Sequence, residues 1–145
     1  MTDLNLAPYA TLVLRLALGA MYLTHSWVLK FTQMTLAGNA AFFAKLGLPG
    51  WLGYVTFAAE AIGGLLLVLG VQTRWVAVAL SPILVGAFVV HSGNGWMFAS
   101  PNGGFEYPLY LIVLTAVQVM LGDGAHALSP SLAPKFPSQR AIHAH

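Results

Sequence analysis

The sequence predicts an all-α integral membrane protein: a four-helix bundle with a short amphipathic interfacial helix between its first two spans. Three observations carry this. Of 145 residues, 58% are hydrophobic and 7% charged, with a mean hydropathy of +0.76, whereas soluble domains carry about 25% charged residues. The apolar residues gather into four continuous runs, each near the roughly 20 residues that a bilayer-crossing helix needs. Those runs do not alternate polar with apolar, and lipid admits only helices or closed barrels, so helices are predicted over strands.

The first span is expected over about Pro8 to Leu29, with proline acceptable in an opening helical turn. It is too long for a signal-peptide core, and its far end lacks a small-residue cleavage site. The second span runs from about Trp51 to Leu69 and stops at Gly70. Gly70-Val71-Gln72-Thr73-Arg74 is a tight turn, so the third span, about Trp75 to His91, lies antiparallel beside the second. The fourth runs from about Phe105 to Leu121 and ends at Gly122-Asp123-Gly124. Between the first two, Asn39 to Leu46 reads as the amphipathic helix, closed by Gly47-Leu48-Pro49-Gly50. Ser92 to Gly104 is a Gly/Asn/Pro-rich loop folding back on the bundle. These elements form one membrane domain, residues 1–124, followed by a loosely ordered tail, 125–145, with Pro130, Pro134 and Pro137 among polar residues.

Charge and cysteine usage narrow the function classes. Six basic and four acidic residues give a net charge of +2 and a pI near 9.2. They are scattered, so nucleic acid is not an expected partner. No cysteine is present, which excludes disulfides, thiolate metal sites and thiol catalysis. Four spans place both termini on one side with Arg74, Lys135 and Arg140, against Lys30 and Lys45 on the other. The positive-inside rule then gives cytoplasmic termini in a bacterial-type inner membrane.

Two polar constellations interrupt the apolar background. Arg15 lies about 10 Å below the terminal face and Glu60 about 15 Å below it, at 1.5 Å rise per residue, so an ion pair between the first two spans is predicted. Arg15, Gly19, Tyr22 and Ser26 share one helical stripe, and Gly53, Thr56, Glu60 and Gly64 another. Such a pair fixes helix register, or else its carboxylate handles protons. Either way, removing one partner strands the other charge, at about 3–5 kcal/mol.

At the opposite face, His25 ends the first span, His91 ends the third, and Glu106 with Tyr107 opens the fourth. Titratable groups converging from separate elements are the signature of a site. A quinone headgroup suits it: hydrogen-bonding groups for its oxygens, aromatic walls and proton-passing side chains. Two histidines and a glutamate can also hold zinc, iron or copper, but no short-spaced ligand motif is present and no metal is assigned. The plainer alternative is that these side chains hydrogen-bond loop backbone. Pro82, with Gly86 after it, is expected to kink the third span for packing. Thr115 and Gln118 read as interhelical hydrogen-bonding residues. His126, His143 and His145 lie outside the spans and receive no role.

Arg15-Leu16-Ala17-Leu18-Gly19, His25, Lys30 and Phe42-Phe43-Ala44-Lys45-Leu46-Gly47-Leu48-Pro49 resemble the DoxX family of small four-helix membrane proteins. Ala59-Glu60-Ala61-Ile62-Gly63-Gly64, Leu69-Gly70 and Thr73-Arg74 continue the resemblance, as do His91, Asn94-Gly95 and Gly104-Phe105-Glu106-Tyr107-Pro108. It covers roughly residues 11 to 122, departing at Ser26, where the family usually has glycine. The resemblance implies a membrane redox setting, since the family name derives from a thiosulfate:quinone oxidoreductase.

The expected function is therefore a quinone-linked membrane subunit of an oxidoreductase. The chain lacks flavin-binding and haem-attachment motifs, so electrons would pass through another subunit. Its expected partners are the lipid bilayer and other protein subunits or further copies of itself. The alternatives are a structural or assembly subunit without a site, and a small-solute channel or transporter using the polar stripe.

Overall fold

The computed structural model describes residues 3–132, and among them the regular structure is helical. α1 spans Ala7–Leu23 and runs directly into a π-helical segment, Thr24–Gln33. α2 spans Leu36–Lys45, α3 Trp51–Leu69, α4 Thr73–His91 and α5 Glu106–Leu121. A single isolated bridge, Val71 with Ser129, is the one strand-like pairing among the described residues.

α1 packs against α3 and α5, and α4 against α3 and α5, which closes a four-helix ring. The solvent logic is inverted relative to a soluble bundle. Val13, Ile62, Val89, Tyr110 and Met120 stand exposed on the outside, while Thr11, Arg15, Ser26, Glu60, Thr115 and Gln118 are buried within. That is the arrangement hydrocarbon selects, because polar groups must find partners inside the protein. Three helical segments, Ala7–Gln33, Trp51–Leu69 and Thr73–Asn94, are long and apolar enough to cross a membrane. α5 has 16 residues, about 24 Å at 1.5 Å per residue. It is shorter than the first three, and loops at both its ends fold over the bundle.

Close backbone approach is concentrated where α1 meets α3. A Cβ on Gly19 would stand 2.9 Å from the Gly64 carbonyl oxygen, and one on Gly64 would stand 3.0 Å from that of Gly19. Two glycines facing each other let the helices touch through backbone, as small residues do in membrane bundles. Pro82 sits inside α4 and cannot donate to the Val78 carbonyl. The Ser81 hydroxyl donates to that same oxygen at 2.8 Å, so the freed acceptor is satisfied locally.

The expected loose tail is corrected for its first residues. Residues 122–131 form a strap across the terminal face. Ala125 N–H donates to Pro8 O, Leu128 N–H to Leu69 O and Ser129 N–H to Gly70 O, while Gln72 N–H donates back to Ser129 O. These bonds form because the C-terminus of α3 and the turn to α4 expose backbone groups that lack helical partners. The remainder of the expected tail, with Lys135, Arg140, His143 and His145, lies outside the described residues.

Asp123 anchors the strap. Its carboxylate accepts from Thr73 N–H at the start of α4 at 2.9 Å, from Ser131 N–H at 2.8 Å and from Ser131 Oγ at 2.9 Å. Burial pushes the Asp123 carboxyl upward, but the hydrogen bonds from Ser131 and Thr73 outweigh it and hold the group below its ordinary value. The folded-state value is depressed, so the stabilisation is fully present above about pH 4 and is lost as pH falls through the folded-state value. The expected outcome is that detergent-solubilised protein loses thermal stability below about pH 4, and that Asp123→Asn removes part of this loss. Thermal denaturation followed by circular dichroism between pH 6 and pH 2 measures it.

Candidate functional site

The half of the bundle away from the strap encloses a cavity of about 400 Å³. Its walls come from α1, the π segment, α3, α4 and α5, and α2 contributes Phe42 and Phe43 as a roof. The roof is held by Asn39, whose buried Nδ2 donates to Gly53 O at 2.6 Å. A Cβ on Gly53 would stand 2.9 Å from Ala40 N and Cα, so glycine here lets α2 lie on the α3 backbone. Gly86 lines the cavity, and a Cβ there would meet no atom within 4 Å.

Three of the four residues predicted for the site line this cavity: His25, His91 and Tyr107. The His25 and Tyr107 rings stack at 6.0 Å with an interplanar angle of 18°. Glu106 is the correction. It lies outside the cavity wall, and its Oε1 accepts from Phe98 N–H at 2.6 Å. It opens α5 while tying down the returning loop, whose Phe105 and Glu106 amides also bond Gly95 O and Trp96 O. The amide it binds belongs to the loop rather than to the first turn of α5, so the carboxylate is held by loop backbone rather than offered to a ligand.

The predicted Arg15–Glu60 pair is also corrected. Glu60 Oε1 pairs instead with Lys30 Nζ at 2.6 Å, with both side chains largely buried. Arg15 turns the other way, and its Nη1 donates to the Asp123 carbonyl in the strap at 2.5 Å. Two causes act together. A guanidinium on a long stem reaches toward the polar face, and Gly70, left-handed at φ +70°, leaves room for it: a Cβ at Gly70 would strike the Arg15 guanidinium. Meanwhile the π segment brings Lys30 into the bundle wall. Its i→i−5 bonding is seen in Met34 N–H to Leu29 O at 2.9 Å.

Lys30 and Glu60 both line the cavity, so the interior ion pair belongs to the candidate site. Glu60 Oε2, also in the wall, is buried without a protein hydrogen-bond partner. Such groups are rare and costly unless a ligand or solvent completes them. Sequence reasoning placed Lys30 only as a charge on one face and gave it no site role. The available signal was a lysine five residues beyond His25, one turn of a π-helix. Among the described residues no cluster of three or more His, Asp or Glu is arranged to hold a metal ion.

Both imidazoles have one ring nitrogen committed. His25 Nδ1 lies 3.0 Å from the Met21 carbonyl oxygen. His91 Nδ1 lies 3.1 Å from Gly103 O and 3.2 Å from Asn102 O, and Asn94 Nδ2 donates to the same two carbonyls. Carbonyl oxygens only accept, so Nδ1 carries the hydrogen in each neutral ring and Nε2 is an acceptor. The Glu106 assignment makes its own prediction. Glu106→Ala should raise the hydrogen-exchange rate of the Phe98 amide by at least about tenfold, the value of a charge-assisted hydrogen bond, while leaving the cavity-lining His25 and His91 in place. Hydrogen exchange read by mass spectrometry checks the first, and ligand binding the second.

Comparison with known proteins agrees with this architecture. The DoxX family model matches residues 10–93, a stretch that includes Arg15, His25, Lys30, Glu60 and His91. The chain is 36% identical over 121 residues to the "Putative oxidoreductase CatD" of Bacillus subtilis (strain 168), covering 83% of this chain and 84% of that protein. No solved structure matches the chain. A helical membrane bundle carrying this match over more than half its length belongs to the DoxX family.

Proposed function

We propose that the protein is the quinone-binding membrane subunit of an oxidoreductase. The observation that carries this reading is the cavity itself: apolar over most of its wall, inside the membrane-spanning bundle, and supplied with ionisable groups at separate points. A quinone headgroup is a flat ring with two oxygens on an apolar tail, and sites for such ligands are largely apolar with a few placed polar groups. Tyr107 and His25 present a stacked face, and Phe42 and Phe43 close the roof. His91 on α4 and the Lys30–Glu60 pair supply polar contacts from other walls.

Interconversion of a quinone and its quinol moves two electrons and two protons. Glu60, Lys30 and His25 are the groups here that can hold a proton beside the ring. The chain has no flavin- or haem-attachment motif and no cysteine, so the electrons are exchanged with a partner subunit carrying a redox group. The oxidoreductase name of the Bacillus subtilis relative supports a redox role for the family fold.

Gly86→Leu provides the direct test. Its Cβ meets no neighbouring atom, so the bundle can fold, while the leucine adds bulk at the exposed edge of the cavity wall. Protein purified from membranes is expected to carry extractable quinone, and the Gly86→Leu variant, eluting at the same volume in size-exclusion chromatography, is expected to lose it. Equal quinone in both, or none in the wild type together with no binding of added decylubiquinone, would contradict the proposal.

A further inference from the structure

We infer that the cavity is built for the reduced, hydroxyl-bearing state of its ligand: a quinol rather than a quinone. This rests on the reading of the cavity as a quinone-class site and adds the redox state that it holds most tightly. Hydrogen-bond polarity separates the two states. A quinone presents two carbonyl oxygens that only accept, whereas a quinol presents two hydroxyls that donate and also accept.

The wall is rich in fixed acceptors. His25 Nδ1 is spent on the Met21 carbonyl, and His91 Nδ1 on the Gly103 and Asn102 carbonyls. The Asn94 amide cannot reverse the second assignment, because its hydrogens go to those same carbonyls at 2.9 and 3.1 Å. Each neutral ring is left with Nε2 as an acceptor toward a ligand. Glu60 adds Oε2, a buried carboxylate oxygen with no partner in the protein. The fixed donors are fewer: Lys30, one of whose three ammonium hydrogens goes to the other oxygen of the same carboxylate, and Asn39, one of whose two amide hydrogens goes to Gly53 O. The Thr56 hydroxyl donates to Gly53 O and so can only accept from a ligand, while the hydroxyls of Tyr22 and Tyr107 can serve either role.

A hydroxyl placed at the Lys30–Glu60 pair donates to Oε2 and accepts from Nζ, completing both groups. A carbonyl oxygen in that place accepts from Nζ but sets its lone pairs against those of Oε2, leaving a buried acceptor unpaired. Sites that leave a buried charged group unpaired discriminate strongly against the ligand that does so. The same asymmetry recurs at His25 and His91, where a hydroxyl satisfies Nε2 and a carbonyl does not.

The test compares decylubiquinol, kept reduced under argon, with decylubiquinone for the full-length protein in detergent at pH 8. Tryptophan-fluorescence quenching, corrected with free tryptophan, gives both dissociation constants. The quinol is expected to bind at least about tenfold more tightly, the worth of one hydrogen bond to a charged group. In Glu60→Gln the amide offers donors where the carboxylate had none, and the preference is expected to fall severalfold. Should that variant not fold, the wild-type ratio still decides. Equal binding, or tighter binding of decylubiquinone, overturns the inference while leaving the cavity a quinone-class site. Failure of both ligands to bind overturns the site reading and this inference with it.

Discussion

A lysine and a glutamate, removed from water and set 2.6 Å apart in the wall of an apolar cavity, make the contact on which the rest of this structure turns. Desolvating two ions costs several kcal/mol each, and the pair recovers this only with good geometry and its remaining atoms satisfied. Geometry here is fixed by the first span and α3, whose backbones meet at Gly19 and Gly64. Satisfaction is incomplete, because Glu60 Oε2 has no protein partner. The imbalance sits where a ligand would, beside His25 and opposite His91, and gives the cavity its chemical character.

The two ends of the bundle divide structural and chemical work. At the terminal face, Arg15, Asp123, Thr73 and Ser131 join α1, α4 and the strap through charge-assisted hydrogen bonds. Their bonds run mainly to backbone amides and carbonyls, although Arg15 Nε and Thr73 Oγ1 stay buried without a partner. At the other face, Asn39 and Glu106 play the same part, one pinning α2 to α3 and the other pinning the returning loop to α5. Between these fastenings, Lys30, Glu60, His25 and His91 remain with valences directed at a common space. Unpartnered polar atoms occur in both halves of the bundle, and that of Glu60 differs in belonging to a residue that lines the cavity.

Much of the fold was legible in the sequence because lipid leaves few options. Apolar run length located the helices, Gly70 and Gly122 marked two ends, and Asn39 to Leu46 announced α2. The convergence of His25, His91 and Tyr107 followed from their places at span ends. The ionic partners were not legible, for two reasons. An ideal α-helix, at about 100° per residue, sets Lys30 about 140° away from His25, whereas the π segment brings residues five apart nearer to register. Arg15 was assigned the nearest opposite charge in depth, yet its partner is a carbonyl 108 residues away in a strap that composition presents as loose. Glu106 misled because a carboxylate beside a histidine in helix-end position looks the same whether it faces a ligand or a loop amide.

The central claim is that Glu60 is held by Lys30 and not by Arg15. A double-mutant cycle on protein in detergent, using Lys30→Met, Glu60→Leu and Arg15→Met, tests it most directly. The account predicts that Lys30→Met and Glu60→Leu each cost about 3–5 kcal/mol, that combining them restores most of the loss, and that Arg15→Met adds to Glu60→Leu within about 0.5 kcal/mol. Additive losses for Lys30 and Glu60, with strong coupling between Arg15 and Glu60, would contradict it.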